Sequence, residues 1–233
     1  NPAFMVTAHE IAHQWWGNML QPGYGPGANL LSEGMSHFST MLLVEQVKGF
    51  RSALELRKGF ESRWGDGRQA DAERKLYLID GAKAGDAVVT YEKAGWTFWM
   101  LADRMGRDNA TRGMKAFIEK FRGSEDHAAL QDLTAHLRAF APDTASYDDF
   151  VRQWFDTVSV LEYQVPRATT RRAAAGGGWE TRAMIRNVGN ARMPVDIAVT
   201  RGERFANDTT GTPSPRYQQA ITRVTVGGMD SLE

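Results

Sequence analysis

The sequence predicts an α+β protein: a mainly α-helical part over residues 1–158 and a small antiparallel β-sandwich-like part over 159–233. Two observations predict it. Through the first part, apolar residues recur at three- and four-residue spacing, the periodicity of helices that bury one face. After Val160 the pattern changes to alternation in short runs separated by Gly, Pro and Asn clusters, which is how half-buried strands and their turns read.

The helical spacing covers 4–19, 31–49, 91–105, 110–121, 128–140 and 147–157. Ser32 before Glu33, Gly106 after the third helix, and Ser146 ahead of Asp148 and Asp149 are the expected start and stop signals. Gln21-Pro22-Gly23-Tyr24-Gly25-Pro26-Gly27 separates the first two helices and can only be a loop. In the second part, Leu161–Val165 and Val195–Thr200 alternate, and similar runs lie near 179–188 and 216–226. The segment around 158–175 is expected to connect the two parts, with Arg167, Arg171 and Arg172 as a solvated basic linker ahead of Ala175-Gly176-Gly177-Gly178.

Composition narrows the function. The 233 residues carry 28 Lys+Arg and 28 Asp+Glu, a balance that gives no reason to expect nucleic acid or an anionic membrane surface as partner. No cysteine is present, which removes disulfides and thiolate metal sites. No apolar run approaches the roughly 18 residues that a membrane span needs. The chain opens at Asn1-Pro2 with a metal motif only a few residues on, and is expected to be a piece of a longer protein.

That motif is His9-Glu10-Ile11-Ala12-His13. Residues four apart share a helix face, so both imidazoles can point at one ion, and Glu10 lies one step around the helix, where it can take a proton from a water on that ion. An open catalytic site needs a third protein ligand from another element and a fourth position left for water and substrate. Glu33, following the Gly/Pro loop, fits that place. Two neutral imidazoles and one carboxylate suit zinc.

The motif extends in both directions. Val6-Thr7-Ala8 precedes it, Gln14-Trp15-Trp16-Gly17-Asn18 follows it, and Leu31-Ser32-Glu33-Gly34 comes after the loop. Together these segments resemble the aminopeptidase-N-like family of zinc metallopeptidases, the gluzincins. Thr90-Tyr91-Glu92-Lys93 looks like the family's Tyr-Glu-Lys-Gly segment, and Phe150-Val151-Arg152-Gln153-Trp154 like the motif that ends its helical part before a β-domain. The resemblance covers roughly 1–165. It implies the C-terminal part of a gluzincin catalytic domain, with zinc ligands His9, His13 and Glu33, base Glu10, and Tyr91 stabilising the transition state. It implies a peptide as substrate and, in the full-length protein, release of N-terminal residues.

Two departures from the family pattern stand out. Nineteen residues separate His13 from Glu33, where the typical aminopeptidase has eighteen, and the extra one is expected in loop 20–30. The longer gap is similar to that of bacterial members joined to a transporter-like membrane part, the nearest resemblance, which implies a membrane-attached full-length protein although this piece shows no membrane contact of its own. Thermolysin-like endopeptidases share the longer gap but lack the Trp-Trp-Gly-Asn and Tyr-Glu-Lys segments. In the second departure, the glycine after Tyr91-Glu92-Lys93 is displaced by one place, to Gly95. The family's amine-anchoring Gly-x-Met-Glu-Asn segment would precede Asn1; Gly227-Gly228-Met229-Asp230-Ser231 is faintly similar and is read as coincidence.

Two alternatives stay open, a non-catalytic zinc-binding module of a membrane assembly and an endopeptidase that cuts internal bonds. His37, four residues after Glu33, reads as a histidine behind the ligands or in the core rather than as a ligand. Trp15 and Trp16 are expected to pack the metal helix, and Trp96, Phe98 and Trp99 to lie in the core. His127 and His136 are read as solvated.

Overall fold

The computed structural model describes residues 2–69, 72–174, 177–204 and 214–232, so Ala175 and Gly176 of the predicted glycine break lie outside the described residues. The chain divides into two compact units, Asn1–Val158 and Ser159–Glu233.

In the first unit α1 (Pro2–Ala12) stops before the helical spacing does. From His13 the chain turns tightly: Gly17 takes a φ of +124°, and the amides of Asn18, Met19 and Leu20 reach back five residues to the carbonyls of His13, Gln14 and Trp15 at 3.1, 3.0 and 3.1 Å. Trp16 and Leu20 remain buried, so these turns preserve the apolar spacing without being a regular helix. Trp15 is half-exposed; only Trp16 packs inward, its indole N–H donating to Ser39 Oγ at 3.1 Å.

Glu33 does not open the second helix. It sits in a π-helical turn, Leu30–Gly34, that runs into α2 (Met35–Gly67). Ser32 is not a cap; its hydroxyl turns back to the Trp16 carbonyl and His13, in the turn after α1. α2 extends far past the predicted 49, broken only by Gly49 at φ 80° and ψ 173°. Its second half has few apolar residues. Arg57 is buried there instead, its guanidinium 4.5 Å from the Trp99 ring centroid and 3.9 Å from Glu45.

A second π-helical turn, Val89–Lys93, leads into α4 (Ala94–Met105) after a short helical turn α3 (Asp86–Val88). α4 contacts α2, α5 (Arg107–Phe121) and α7 (Thr144–Phe155), and most of its residues are buried, Phe98 and Leu101 completely. It is the central helix of the unit. Gly106 ends it at φ 80°, as predicted, whereas the cap of α7 is Asp143, which accepts from the Ser146 amide at 3.0 Å. α6 (Leu130–Arg138) carries His136, which is not solvated as expected: its ring lies between Phe117 and Phe140, each 5.3 Å away, with Nε2 3.1 Å from the Gly113 carbonyl. His127 is exposed. Among the described residues no helix is long and apolar enough to cross a membrane.

Among its described residues the second unit holds two antiparallel sheets, one of three strands and one of two. β1 (Tyr163–Arg172) occupies the segment expected to be a linker, and Arg167, Arg171 and Arg172 stand on it, Arg171 paired with Glu180 of β2 (Trp179–Asn187) at 2.9 Å. The register of β1 on β2 slips between Gln164 and Arg167, around Pro166, which has no amide proton to offer the ladder. β3 (Pro194–Arg201) pairs with β4 (Gln218–Thr225). Gly227 to Met229 form the turn into β5 (Asp230–Leu232), a local role for the segment read as coincidence. Burial in this unit centres on Ile185, Asn187, Ala191, Met193 and Val226.

Candidate metal centre

His9 and His13 project from the last turn of α1 and the residue that follows it. Their Nε2 atoms are 3.1 Å apart, and Glu33 Oε2 lies 3.0 Å from the first and 3.3 Å from the second. A tetrahedral zinc with bonds of about 2.0–2.1 Å sets its ligand atoms about 3.3–3.4 Å apart, so the three donors stand at the corners of one tetrahedral face. No other group of three or more His, Cys, Asp or Glu among the described residues converges in this way. Both imidazoles also have the rotation a metal needs, since each uses Nδ1 for a protein contact and leaves Nε2 toward Glu33.

The turn after α1 explains the rotation of His13. Its Nδ1 is 2.9 Å from the Trp16 carbonyl, 3.2 Å from Ser36 Oγ and 3.3 Å from Ser32 Oγ. With the lone pair of Nε2 reserved for a cation, Nδ1 carries the proton and donates to the carbonyl. Gly17 lies against this ring: a Cβ there would come within 3.2 Å of Ser32 Oγ and 3.6 Å of His13 Nδ1. The Trp-Trp-Gly-Asn extension is thus a backbone cradle for the second imidazole. Ser32 and Ser36 were not anticipated as part of the site; their spacing around Glu33 was the available signal.

Glu33 and Tyr91 each sit on a π-helical turn, and the two turns lie against one another. Gly34 permits this approach, since a Cβ there would stand 2.7 Å from Ala94 Cβ and 3.1 Å from the Thr90 carbonyl. Single π-turns within helices often occur at functional sites, because they redirect the side chains on either side. The Tyr91 ring centroid is 6.0 Å from that of His9. The two residues after Tyr91 are anchored: Glu92 accepts from Arg63 Nε at 2.7 Å, and Lys93 pairs with Glu73, whose side chain is almost fully buried and also accepts from Arg68 at 2.8 Å. None of Arg63, Arg68 and Glu73 was singled out in the sequence, where no periodicity or motif marks them.

Electrostatics agree with this convergence. The hydrogen bond from His9 holds the Glu33 carboxyl below its ordinary range, with His13 and the Tyr91 hydroxyl acting in the same sense against burial. Burial raises the Tyr91 hydroxyl, helped by the negative charges of Glu33 and Glu10, so it stays a donor at neutral pH. Burial, reinforced by His9, lowers His37 to about 3 and keeps it neutral. Glu10 is exposed beside His9 and near enough for its charge to act on Tyr91. The structure therefore brings together His9, His13, Glu33 and Tyr91, with Glu10 at the accessible side.

Comparison with known proteins gives this arrangement a family. The peptidase family M1 domain matches residues 2–154. A stretch of 126 residues is 25% identical to aminopeptidase N of Lactococcus lactis subsp. lactis, covering 50% of this chain and 14% of that protein. The M1 zinc metallopeptidase of Deinococcus radiodurans shares the fold at a TM-score of 0.54 and 17% identity, over 65% of this chain and 32% of that one. A mutant of the same enzyme bound to a Tyr-Ser-Ala substrate gives a TM-score of 0.51 at the same identity and coverage. The chain spans about a third of the length of the solved relatives and a smaller share of the curated one. Over its helical unit, the chain belongs to peptidase family M1.

Proposed function

We propose that residues 1–158 are the C-terminal part of a zinc peptidase catalytic domain, followed by a separate β-domain over 159–233, and that the whole protein is an aminopeptidase. The observation that carries the reading is the face of three donors 3.0, 3.1 and 3.3 Å apart, with an exposed Glu10 beside them. His9, His13 and Glu33 would hold the ion. Zinc bound there would polarise the scissile carbonyl and lower the pKa of a water to about 7.

The remaining work falls to the chain. Glu10 accepts a proton from the attacking water and delivers it to the departing amine, the sequence of base and acid roles that one carboxylate can perform. The Tyr91 hydroxyl donates toward the oxygen on which negative charge develops, and a preorganised donor of this kind is worth about 3 kcal/mol. Trp16 and Ser36 fix His13, while Arg63 and Glu73 fix the turn that bears Tyr91. Support for aminopeptidase action comes from the aminopeptidase N relative and from the Tyr-Ser-Ala substrate of the Deinococcus enzyme.

Metal analysis of the purified chain and peptide assays of the whole protein test the reading. Zinc should bind near one equivalent, and Glu10→Gln should keep the zinc and lose hydrolysis. Peptides with free N-termini should be cut and blocked ones spared; cleavage of both would mark an endopeptidase. A chain that takes up no zinc even after reconstitution rules the proposal out. Zinc without hydrolysis by the wild-type protein would make it a non-catalytic zinc module.

A further inference from the structure

One contact at the centre remains unexplained by the ligands themselves. Behind His9, its Nδ1 lies 3.0 Å from Nδ1 of His37. A hydrogen bond between two imidazole nitrogens needs one N–H and one lone pair. A metal on Nε2 of His9 leaves the proton on Nδ1 of that ring. His37 must then accept through Nδ1 and carry its own proton on Nε2.

The structure fixes His37 for this part. Its ring stacks on Phe60 at 4.6 Å and 28°, and meets Tyr91 edge-on at 5.2 Å and 69°. On the opposite side α4 approaches so closely that a Cβ on Gly95 would stand 2.9 Å from His37 Cβ. The displaced glycine thereby acquires a local reason. Ala94 fits because residue 34 is glycine, and His37 fits because residue 95 is glycine.

We propose that His37 is the positioning residue for the first metal ligand: a neutral imidazole that accepts from His9 Nδ1–H, setting the rotation and tautomer of that ring. The proposal rests on the zinc reading above. Ligand histidines usually donate to a carboxylate, a carbonyl or a water. His13 uses a carbonyl, and the acceptor for His9 is a second histidine, which orients the ring without adding negative charge behind it.

The test is competition for zinc between a chelator and the apo-chain, in wild type, His37→Phe, His37→Asn and Gly95→Ala, with folding followed by circular dichroism. His37→Phe keeps a ring but no acceptor, and Gly95→Ala pushes His37 from behind; each should weaken zinc binding by about 10–100-fold. His37→Asn places an acceptor near the position of Nδ1 and should restore most of the affinity. In the zinc-loaded wild type, nitrogen NMR of labelled histidine should show His9 protonated on Nδ1 and His37 on Nε2. Folded His37→Phe with wild-type zinc affinity, or His37 protonated on Nδ1, overturns the proposal. Should the variants fail to fold, the wild-type spectrum decides alone. A wild-type chain that binds no zinc removes the zinc reading and this role together, whereas wild-type zinc binding that His37→Phe leaves unchanged removes only this role.

Discussion

In the helical unit the groups at the metal centre come from three separate stretches of chain, and their positions depend on buried polar contacts among those stretches. In the β unit the strands are joined by ladder bonds between antiparallel neighbours, with nearly all of β1 and β4 and the second half of β3 facing solvent. Lys93, Glu73 and Arg68 form a charged group in which Glu73 and Lys93 are almost fully buried, whereas the Asp196–Arg223 and Glu180–Arg171 pairs of the strands are half-exposed. The same kinds of side chain therefore carry different weight. A charge removed from the helical unit strands a partner in low dielectric, while one removed from the strands leaves a partner in water.

That difference can be tested in order of size. Glu73→Leu leaves Lys93 buried without its carboxylate and should destabilise the helical unit by about 3–5 kcal/mol in urea unfolding. Adding Lys93→Met should recover much of the loss; failure to do so would mean that packing, not charge, dominates there. If zinc binds as proposed, chelation should remove about 4 kcal/mol from the helical unit when zinc had been at a thousand times its Kd. Amide exchange in α1 and α2 reads that loss, with the amides of β1 and β2, which carry no ligand, as reference. Gly34→Ala forces a Cβ against Ala94 and should cost about 1–3 kcal/mol. In a double-mutant cycle Ala94→Gly should relieve part of it, and strict additivity would show that the two turns do not meet there.

Within the strands the expected effects are smaller, with one exception. Asn187 is fully buried; its Nδ2 donates to the Ala191 carbonyl at 2.7 Å, and its Oδ1 accepts from the Gly189 amide at 3.1 Å. Asn187→Ala should cost about 1–3 kcal/mol, because a buried carbonyl and amide lose their partner. With both variants followed by urea unfolding, Arg223→Ala should leave the midpoint almost unchanged, because its partner Asp196 stays in water. Equal effects from the two substitutions would erase the contrast between buried and exposed polar contacts in that unit.

The ligand pair was legible because a four-residue repeat on a helix is a local property: His9 and His13 share a face whatever surrounds them. The strands at 179–188, 195–200 and 216–226 were legible for the same reason, through alternation. Residues 50–67 were missed as helix because their inward positions are filled by Arg57 and by glycine as well as by apolar groups, and the stacking on Trp99 that buries Arg57 is invisible to periodicity. The arginines of β1 read as a linker because the pattern held no buried face, and their strand exists by pairing with β2. Ser32 and Ser146 looked like caps, yet one belongs to a π-turn beside His13 and the other donates its amide to the true cap, Asp143.

By itself the sequence determined the chemistry available to this protein: two imidazoles and a carboxylate of the right types, an acidic neighbour, helices followed by strands, and a recognisable family pattern. Only the tertiary structure decided how those groups are held. The π-turns that aim Glu33 and Tyr91, the hydroxyl of Ser36 on His13, the imidazole of His37 on His9, and the two glycines that let α4 approach α2 all depend on contacts across long stretches of chain. Periodicity reports what one segment does along its own axis; it carries no record of which atoms another segment will bring to its side.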